Sequence, residues 1–131
     1  TLHWADMDSF HHVNNARYFT FMETGRISLF KHLLDLSYAG VPKAGPILAH
    51  IGCNYRKPIE WPATLQVGTG VEKIGNTSFA LHQGVFIEGE DQAAADGPSV
   101  VVWYDYQAGE KRPLPDTLRA ALEPLVAQHH A

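Results

Sequence analysis

Cysteine is nearly absent: Cys53 is the one cysteine in 131 residues. An internal disulfide and a cysteine-built zinc site are therefore excluded. A lone cysteine inside an apolar run reads as a small buried hydrophobe. Charge is sparse as well, at 18 %, and ten Lys and Arg against fourteen Asp and Glu leave a net −4. There is no basic stripe to neutralise phosphates along a backbone, which excludes nucleic acid as a partner. A small anion remains possible, because it needs only a few local cations. No apolar run reaches the length of a membrane span and no signal peptide is present. Together with the cysteine usage this implies a cytoplasmic protein with no membrane partner. The phosphate-cradling glycine patterns GxGxxG and GxxxxGK[ST] are missing, as is the G-x-S-x-G nucleophile elbow. A serine-hydrolase triad thus has no support, and no cofactor is implied. The chain opens at Thr1 without a start methionine, so a trimmed N-terminus is expected.

What is present is an ordinary globular composition, 45 % apolar, with the length of one domain, 1–131. Residues 1–6 read as a short strand entering a polar loop. From Asn15 to Asp35 the pattern turns helical. Tyr18, Met22, Gly25, Leu29, Leu33 and Leu36 recur at three- and four-residue steps, with Phe19 and Phe30 widening the same face. Asn14 or Asn15 is the natural N-cap. Gly25 in mid-helix costs about 1 kcal/mol relative to alanine, so close approach of another backbone is expected there. Arg26 sits beside the apolar stripe, three residues after Glu23, a spacing suited to an ion pair.

A Gly- and Pro-rich loop, 38–46, precedes a series of strands. Residues 47–56 alternate, with Ile47, Ala49, Ile51, Cys53 and Tyr55 on one face. Residues 57–63 (KPIEWPA) form a turn or bulge. Residues 64–74 and 78–88 flank the turn signal GNTS and make a hairpin. Residues 88–97 break the pattern, 99–107 (SVVVWYDYQ) form a strand rich in β-branched and aromatic residues, and 116–128 a short helix. One long apolar helix followed by antiparallel strands is an α+β plan. The sheet is expected to wrap the helix, with nothing else in the chain able to cover both.

The polar stretch ADMDSFHHVNNARYF (5–19) holds two aspartates, two histidines and two asparagines ahead of the apolar helix. Asp6 and Asp8 each have a reading as a turn or capping residue. Either could instead act as base or nucleophile at the helix N-terminus, where unpaired N–H groups can hold a developing oxyanion. One such donor is worth roughly 3–4 kcal/mol of transition-state stabilisation, and a carboxylate just ahead of it suits acyl transfer. A metal site is not expected, since the spacing of Asp6, Asp8, His11 and His12 matches no zinc pattern. One histidine then lines a pocket and the other is surface. His50 and His82 fall on strands and read as structural.

The run W-A-D-M-D-x-x-x-H-V-N-N-A-R-Y-F, carried by Trp4, Ala5, Asp6, Asp8, His12, Val13, Asn14, Asn15, Arg17 and Tyr18, resembles the hotdog-fold acyl-CoA thioesterases of the 4-hydroxybenzoyl-CoA thioesterase-like family. The similarity continues more weakly through YFTFMETGR, CNYRKPI, VEKIGNTSF and VVVWYDY. The resemblance implies a sheet wrapped around a central helix and hydrolysis of an acyl-CoA thioester. It puts the catalytic carboxylate on Asp8, as nucleophile or as general base toward water, and the polarising N–H on Asn15. Asp6 becomes support. His12, Asn14 and Tyr18 become substrate-binding. It also implies a homodimer or homotetramer in which a partner chain completes each pocket, with Asn76, Thr77 and Ser78 as candidates for that contribution. One departure stands out: His11 replaces the glycine common before His12, at a place where positive φ would favour glycine.

Two other functions fit the same fold. Asp6 and His11 have the spacing of a hotdog 2-enoyl-CoA hydratase or dehydratase, but lack the Asn-Pro between them. A non-catalytic acyl-thioester-binding protein is the second. Glu23 ranks behind Asp8 as the acid, because it lies two turns into the helix. Arg56, Lys57, Lys73, Lys111 and Arg112 could meet CoA phosphates, and Phe10, Tyr18, Phe19 and Trp61 could line an acyl pocket; for most of these the core or solvated surface is the simpler reading.

Overall fold

The computed structural model describes residues 2–8, 12–34 and 44–129, without the side chains of 34 and 127–129. The elements run as a 3-10 turn Trp4–Asp6, helix α1 (Asn15–Leu34), strands β1 (Ala44–Ile51), β2 (Asn54–Tyr55), β3 (Leu65–Ile74), β4 (Ser78–Ile87), β5 (Ala95–Asp105) and β6 (Glu110–Lys111), and helix α2 (Asp116–His129). All strand pairs are antiparallel, in the order β1-β5-β4-β3, with β2 and β6 short additions to β5. A long helix lies against β3 and β4, which is the hotdog plan expected from the sequence.

Helix α1 starts at the expected residue; Asp35 and Leu36 lie outside the described residues. Tyr18 and Met22 bury into one cluster with Leu2, Val13, Ile59 and Val85, while Leu29, Phe30 and Leu33 lean on a second built from Val71, Phe79, Leu81 and Val101. Phe19 departs from its expected face and is exposed. Gly25 sits where a Cβ would lie 2.8 Å from Val67 Cγ1 and 3.0 Å from Gln83 Nε2, so only glycine lets the helix press this closely on the sheet.

Arg26 does not take the ion pair with Glu23. It is buried and donates from Nη1 to Gln83 Oε1 at 3.1 Å. Gln83 in turn donates to Met22 O at 2.8 Å and Thr69 Oγ1 at 3.0 Å. Burial pulls the guanidinium below its usual pKa and the charge of Glu23 opposes that. A buried guanidinium without partners would be costly, and the amide of Gln83 offsets the cost by joining helix and sheet.

Three expectations need correction. The strand expected over 1–6 does not form in its described part, 2–6: the segment coils into the 3-10 turn, because Asp6 Oδ2 accepts the His3 N–H at 3.0 Å and Asp6 N–H closes on His3 O at 2.9 Å. The strand expected over 47–56 is two pieces, beginning at Ala44 and interrupted at Gly52. β1 lies at the edge of the sheet, where Pro46 is tolerated. Its register shifts between Leu48 and His50, so the expected alternation fails. Ile47 and Leu48 are exposed, whereas Ile51 and Cys53 pack on the core. Finally, the sheet does not cover α1 unaided. Helix α2 packs on β3 and α1, and its Leu118 and Leu122 join the second cluster.

Candidate active site

The loop before α1 is built by backbone bonds on both sides. Asp8 N–H donates to His12 O at 2.8 Å, and His12 N–H reaches back to Asp8 Oδ1 at 3.3 Å. Val13 N–H donates to Ile59 O at 2.9 Å and His12 bridges to Glu60. The segment after β2 thereby holds the loop against the protein. Asp6 acts on the other side. Its carbonyl accepts the Asn14 N–H at 2.8 Å and its carboxylate lies 3.7 Å from Arg17 Nε. Asn14 is the cap of α1, its Oδ1 accepting the Ala16 N–H at 3.0 Å and its carbonyl the Arg17 N–H at 2.9 Å. As first residue of the helix, Asn15 has an N–H with no intrahelical acceptor, and the cap does not use it.

These ties place Asp8, His12, Asn15 and Tyr18 around one pocket of about 440 Å³, and Tyr55, Arg56, Lys57 and Pro58 help to line it. Tyr18 is buried at the base, edge-on to Phe21 and Tyr55 with centroids 6.1 and 5.1 Å away. Burial raises its phenol pKa above the ordinary value, and the charge of Cys53 adds to this, so the ring serves as a neutral wall. His12 Nε2 lies 3.5 Å from Glu60 Oε1 at the rim. Cys53 packs against the core cluster that holds Tyr18, its thiol pushed up by burial.

Other residues singled out in the sequence fall elsewhere. Asn14 caps the helix and does not line the pocket. Asn76, Thr77 and Ser78 occupy the β3–β4 turn, at the opposite end of β4 from the pocket. There Asn76 O and Thr77 O accept from Leu114 and Trp103, and Ser78 O from Gly75 at 2.7 Å. They do not line the pocket of this chain. Glu23 is exposed on α1, away from the pocket. Trp61 stacks edge-on with Trp4 at 5.2 Å. Phe10 and His11 lie outside the described residues. Lys73, Lys111 and Arg112 are remote from the pocket, with Arg112 paired to Asp105 and Glu110. Among the described residues no three His, Cys, Asp or Glu side chains converge as a metal site, and no helix is long and apolar enough to cross a membrane.

Val13, Tyr55 and Pro58 also line the pocket and are not marked as pocket residues by the sequence; Tyr55 differs most from expectation. Alternation assigned it to the core face, yet it is 47 % exposed and its hydroxyl donates to Asn15 O at 3.1 Å. Arg56 and Lys57 line both this pocket and an adjoining cleft of about 710 Å³. Each is met there by a carboxylate: Arg56 by Asp96, with Nε–Oδ2 at 2.8 Å, and Lys57 by Glu90. The Arg56 guanidinium holds the Asp96 carboxyl below its usual pKa.

The support assigned to Asp6 leads to an expected result. Asp6→Ala removes the acceptor for His3 N–H and the partner of Arg17, and should cost about 1 kcal/mol of stability. Urea denaturation measures it. Asp6 does not line the pocket, so the pocket should keep its shape in the folded fraction.

Asp8 and Asn15, the first residue of α1, line one cavity, and a carboxylate so placed can attack, or activate water toward, a carbonyl whose oxygen rests at the helix start. The chain is similar to known thioesterases. The long-chain acyl-CoA thioesterase FadM of Escherichia coli is 28 % identical over 120 residues, covering 92 % of this chain and 91 % of that one. The solved PA2801 protein of Pseudomonas aeruginosa is 32 % identical, with 92 % of each chain covered and a TM-score of 0.82. A thioesterase of Thermus thermophilus, solved with coenzyme A and zinc, is 28 % identical over 96 % of this chain and 90 % of that one, with a TM-score of 0.79. Residues 2–122 match the thioesterase-like superfamily, and with that much of its length matched the chain belongs to it.

Proposed function

We propose that this protein is an acyl-CoA thioesterase that releases a free acid and CoA, with Asp8 as nucleophile or general base and the Asn15 N–H as the oxyanion donor. The observation that carries this is the meeting of Asp8 and Asn15 in one pocket at the start of α1. The resting carboxylate is held by the His12 N–H, which fixes one oxygen. The carbonyl oxygen gains charge as the tetrahedral intermediate forms, and the positive end of the helix favours it there. Tyr18, Tyr55 and His12 supply the pocket walls. Arg56 and Lys57 are the cations of the pocket lining, and they meet the phosphates of CoA at the mouth by exchanging their partners Asp96 and Glu90.

The functional unit in this reading is a homodimer or homotetramer, in which a partner chain completes each pocket through Asn76, Thr77 and Ser78. The exposed Ile47 and Leu48 on β1, whose outer edge pairs with no strand among the described residues, are consistent with association along that strand. The enoyl-CoA hydratase reading is less favoured, because Asp6 is committed to His3, Asn14 and Arg17 and does not line the pocket.

The test is a panel of acyl-CoA substrates of varied chain length and aromaticity, read by release of free thiol. Turnover well above background with at least one acyl group is the expected result. Thiol release with none of them, together with saturable acyl-CoA binding, would establish a non-catalytic binding protein instead. Loss of the enoyl absorbance from a 2-enoyl-CoA without thiol release would establish the hydratase.

A further inference from the structure

We propose that Glu90 is an acidic latch on the cleft of about 710 Å³ beside the pocket: it holds Lys57 until a phosphate of CoA displaces it, and so sets how tightly CoA binds. The inference deepens the acyl-CoA thioesterase reading above and rests on it.

The cleft continues the pocket, because Arg56 and Lys57 line both. The backbone under these cations is anchored, each donating its N–H to Ala94 O, at 2.8 and 3.1 Å. The charge of the cleft is more than neutralised: Glu90, Asp91 and Asp96 set three carboxylates against the two cations. A phosphate entering the cleft therefore meets net negative charge until a carboxylate yields.

The two ion pairs do not yield equally. Asp96 stands on β5 with its side chain 18 % exposed. It accepts from Arg56 Nε at 2.8 Å, from Arg56 Nη2 at 3.1 Å and from Asn54 Nδ2 at 3.4 Å. Glu90 stands instead at the end of a tight turn, where its N–H closes on Ile87 O at 3.0 Å around Gly89 at φ +88°. Among the described residues its carboxylate pairs with Lys57 alone, and both side chains are well exposed. An exposed pair of this kind is held by a factor of a few at most, and the lysine ammonium is a point charge that a phosphate can claim. Glu90 thus opens before Asp96.

The experiment titrates CoA by calorimetry into the wild-type chain, Glu90→Gln and Asp91→Asn. The Asp91 variant removes the same charge from the same cleft, but among the described residues Asp91 pairs with neither cation. The dissociation constant of Glu90→Gln is expected to be about threefold to fivefold below wild type, with a smaller change in Asp91→Asn. The difference should shrink in about 1 M sodium chloride, where charges act over only about 3 Å. In thiol release, KM for acyl-CoA should fall by a similar factor in Glu90→Gln while kcat moves less. KM for the same acyl group on N-acetylcysteamine, which carries no phosphate, should stay within about twofold. A CoA affinity equal to wild type overturns the latch, and so does a gain that Asp91→Asn matches, which would be the field of the cleft alone. An equal fall in KM for the phosphate-free thioester overturns it as well. Absence of thiol release by the wild type would overturn the thioesterase reading instead, and the CoA titration would still decide the latch.

Discussion

Asp8→Asn is expected to lower turnover at least a hundredfold while the fold survives. Asparagine keeps the shape of the side chain, and its Oδ1 can still accept the His12 N–H that Asp8 accepts at 3.3 Å. The loop from Asp8 to His12 is also closed by the backbone bond from Asp8 N–H to His12 O, which the substitution leaves alone. What disappears is the charge. A neutral amide can neither attack a thioester carbonyl nor draw a proton from water, so the pocket retains only substrate binding and the Asn15 N–H. A hundredfold loss corresponds to about 2.7 kcal/mol in the barrier, the least that removing such a group should cost. Thiol release under saturating substrate measures kcat, and a melting curve within a few degrees of wild type shows that the fold is intact. Unchanged hydrolysis would refute the role given to Asp8, and the acid would then be sought elsewhere, first at Glu23.

Gly97→Ala is expected to produce the largest loss of stability. A Cβ at residue 97 would sit 1.9 Å from Gly52 O, 2.6 Å from Gly52 C and 3.0 Å from Cys53 Cα. Every one of these atoms is backbone, so no rotamer change relieves the clash. Gly52 cannot retreat either, because its N–H donates to Pro98 O at 2.9 Å and the residue before it, Ile51, is paired with Ser99. One methyl group must therefore separate the end of β1 from β5. Forcing a methyl into a packed interior costs typically 1–3 kcal/mol and more when only backbone can move, so a loss of about 3 kcal/mol is expected, or about 10 °C in the thermal midpoint for a chain of this length. The same shift would pass along Gly52 and Cys53 toward Tyr55, so activity should fall as well. A midpoint within about 2 °C of wild type would show that the sheet accommodates the methyl and that the contact carries little energy.

Much of the architecture and the kernel of the site are local properties of the chain. The spacing of Tyr18, Met22, Gly25, Leu29 and Leu33 specifies a helix with one apolar face, and the structure places α1 there. The GNTS turn between two apolar strands specifies the β3–β4 hairpin. Asn14 is a cap because its side chain reaches a backbone N–H two residues on. Each of these depends on neighbours within a few positions, and so periodicity and residue type suffice. Asp8, His12, Asn15 and Tyr18 could be named together because they lie within one turn-and-helix start.

Tertiary structure alone decided the rest. The register shift after Leu48 answers to β5, not to the alternation of β1, and it turned Ile47 and Leu48 outward. Arg26 bonds Gln83, 57 residues away, and not Glu23 at three, because its guanidinium is buried against the facing sheet while Glu23 stays exposed to solvent. Tyr55 joined the pocket, and Arg56 and Lys57 its mouth, through pairing with Ala94 and Ala95, far along the chain on β5 and its approach. Such partners are set by which backbones pair and how closely they pack. A linear sequence records the residue types that meet but not the register that brings them together.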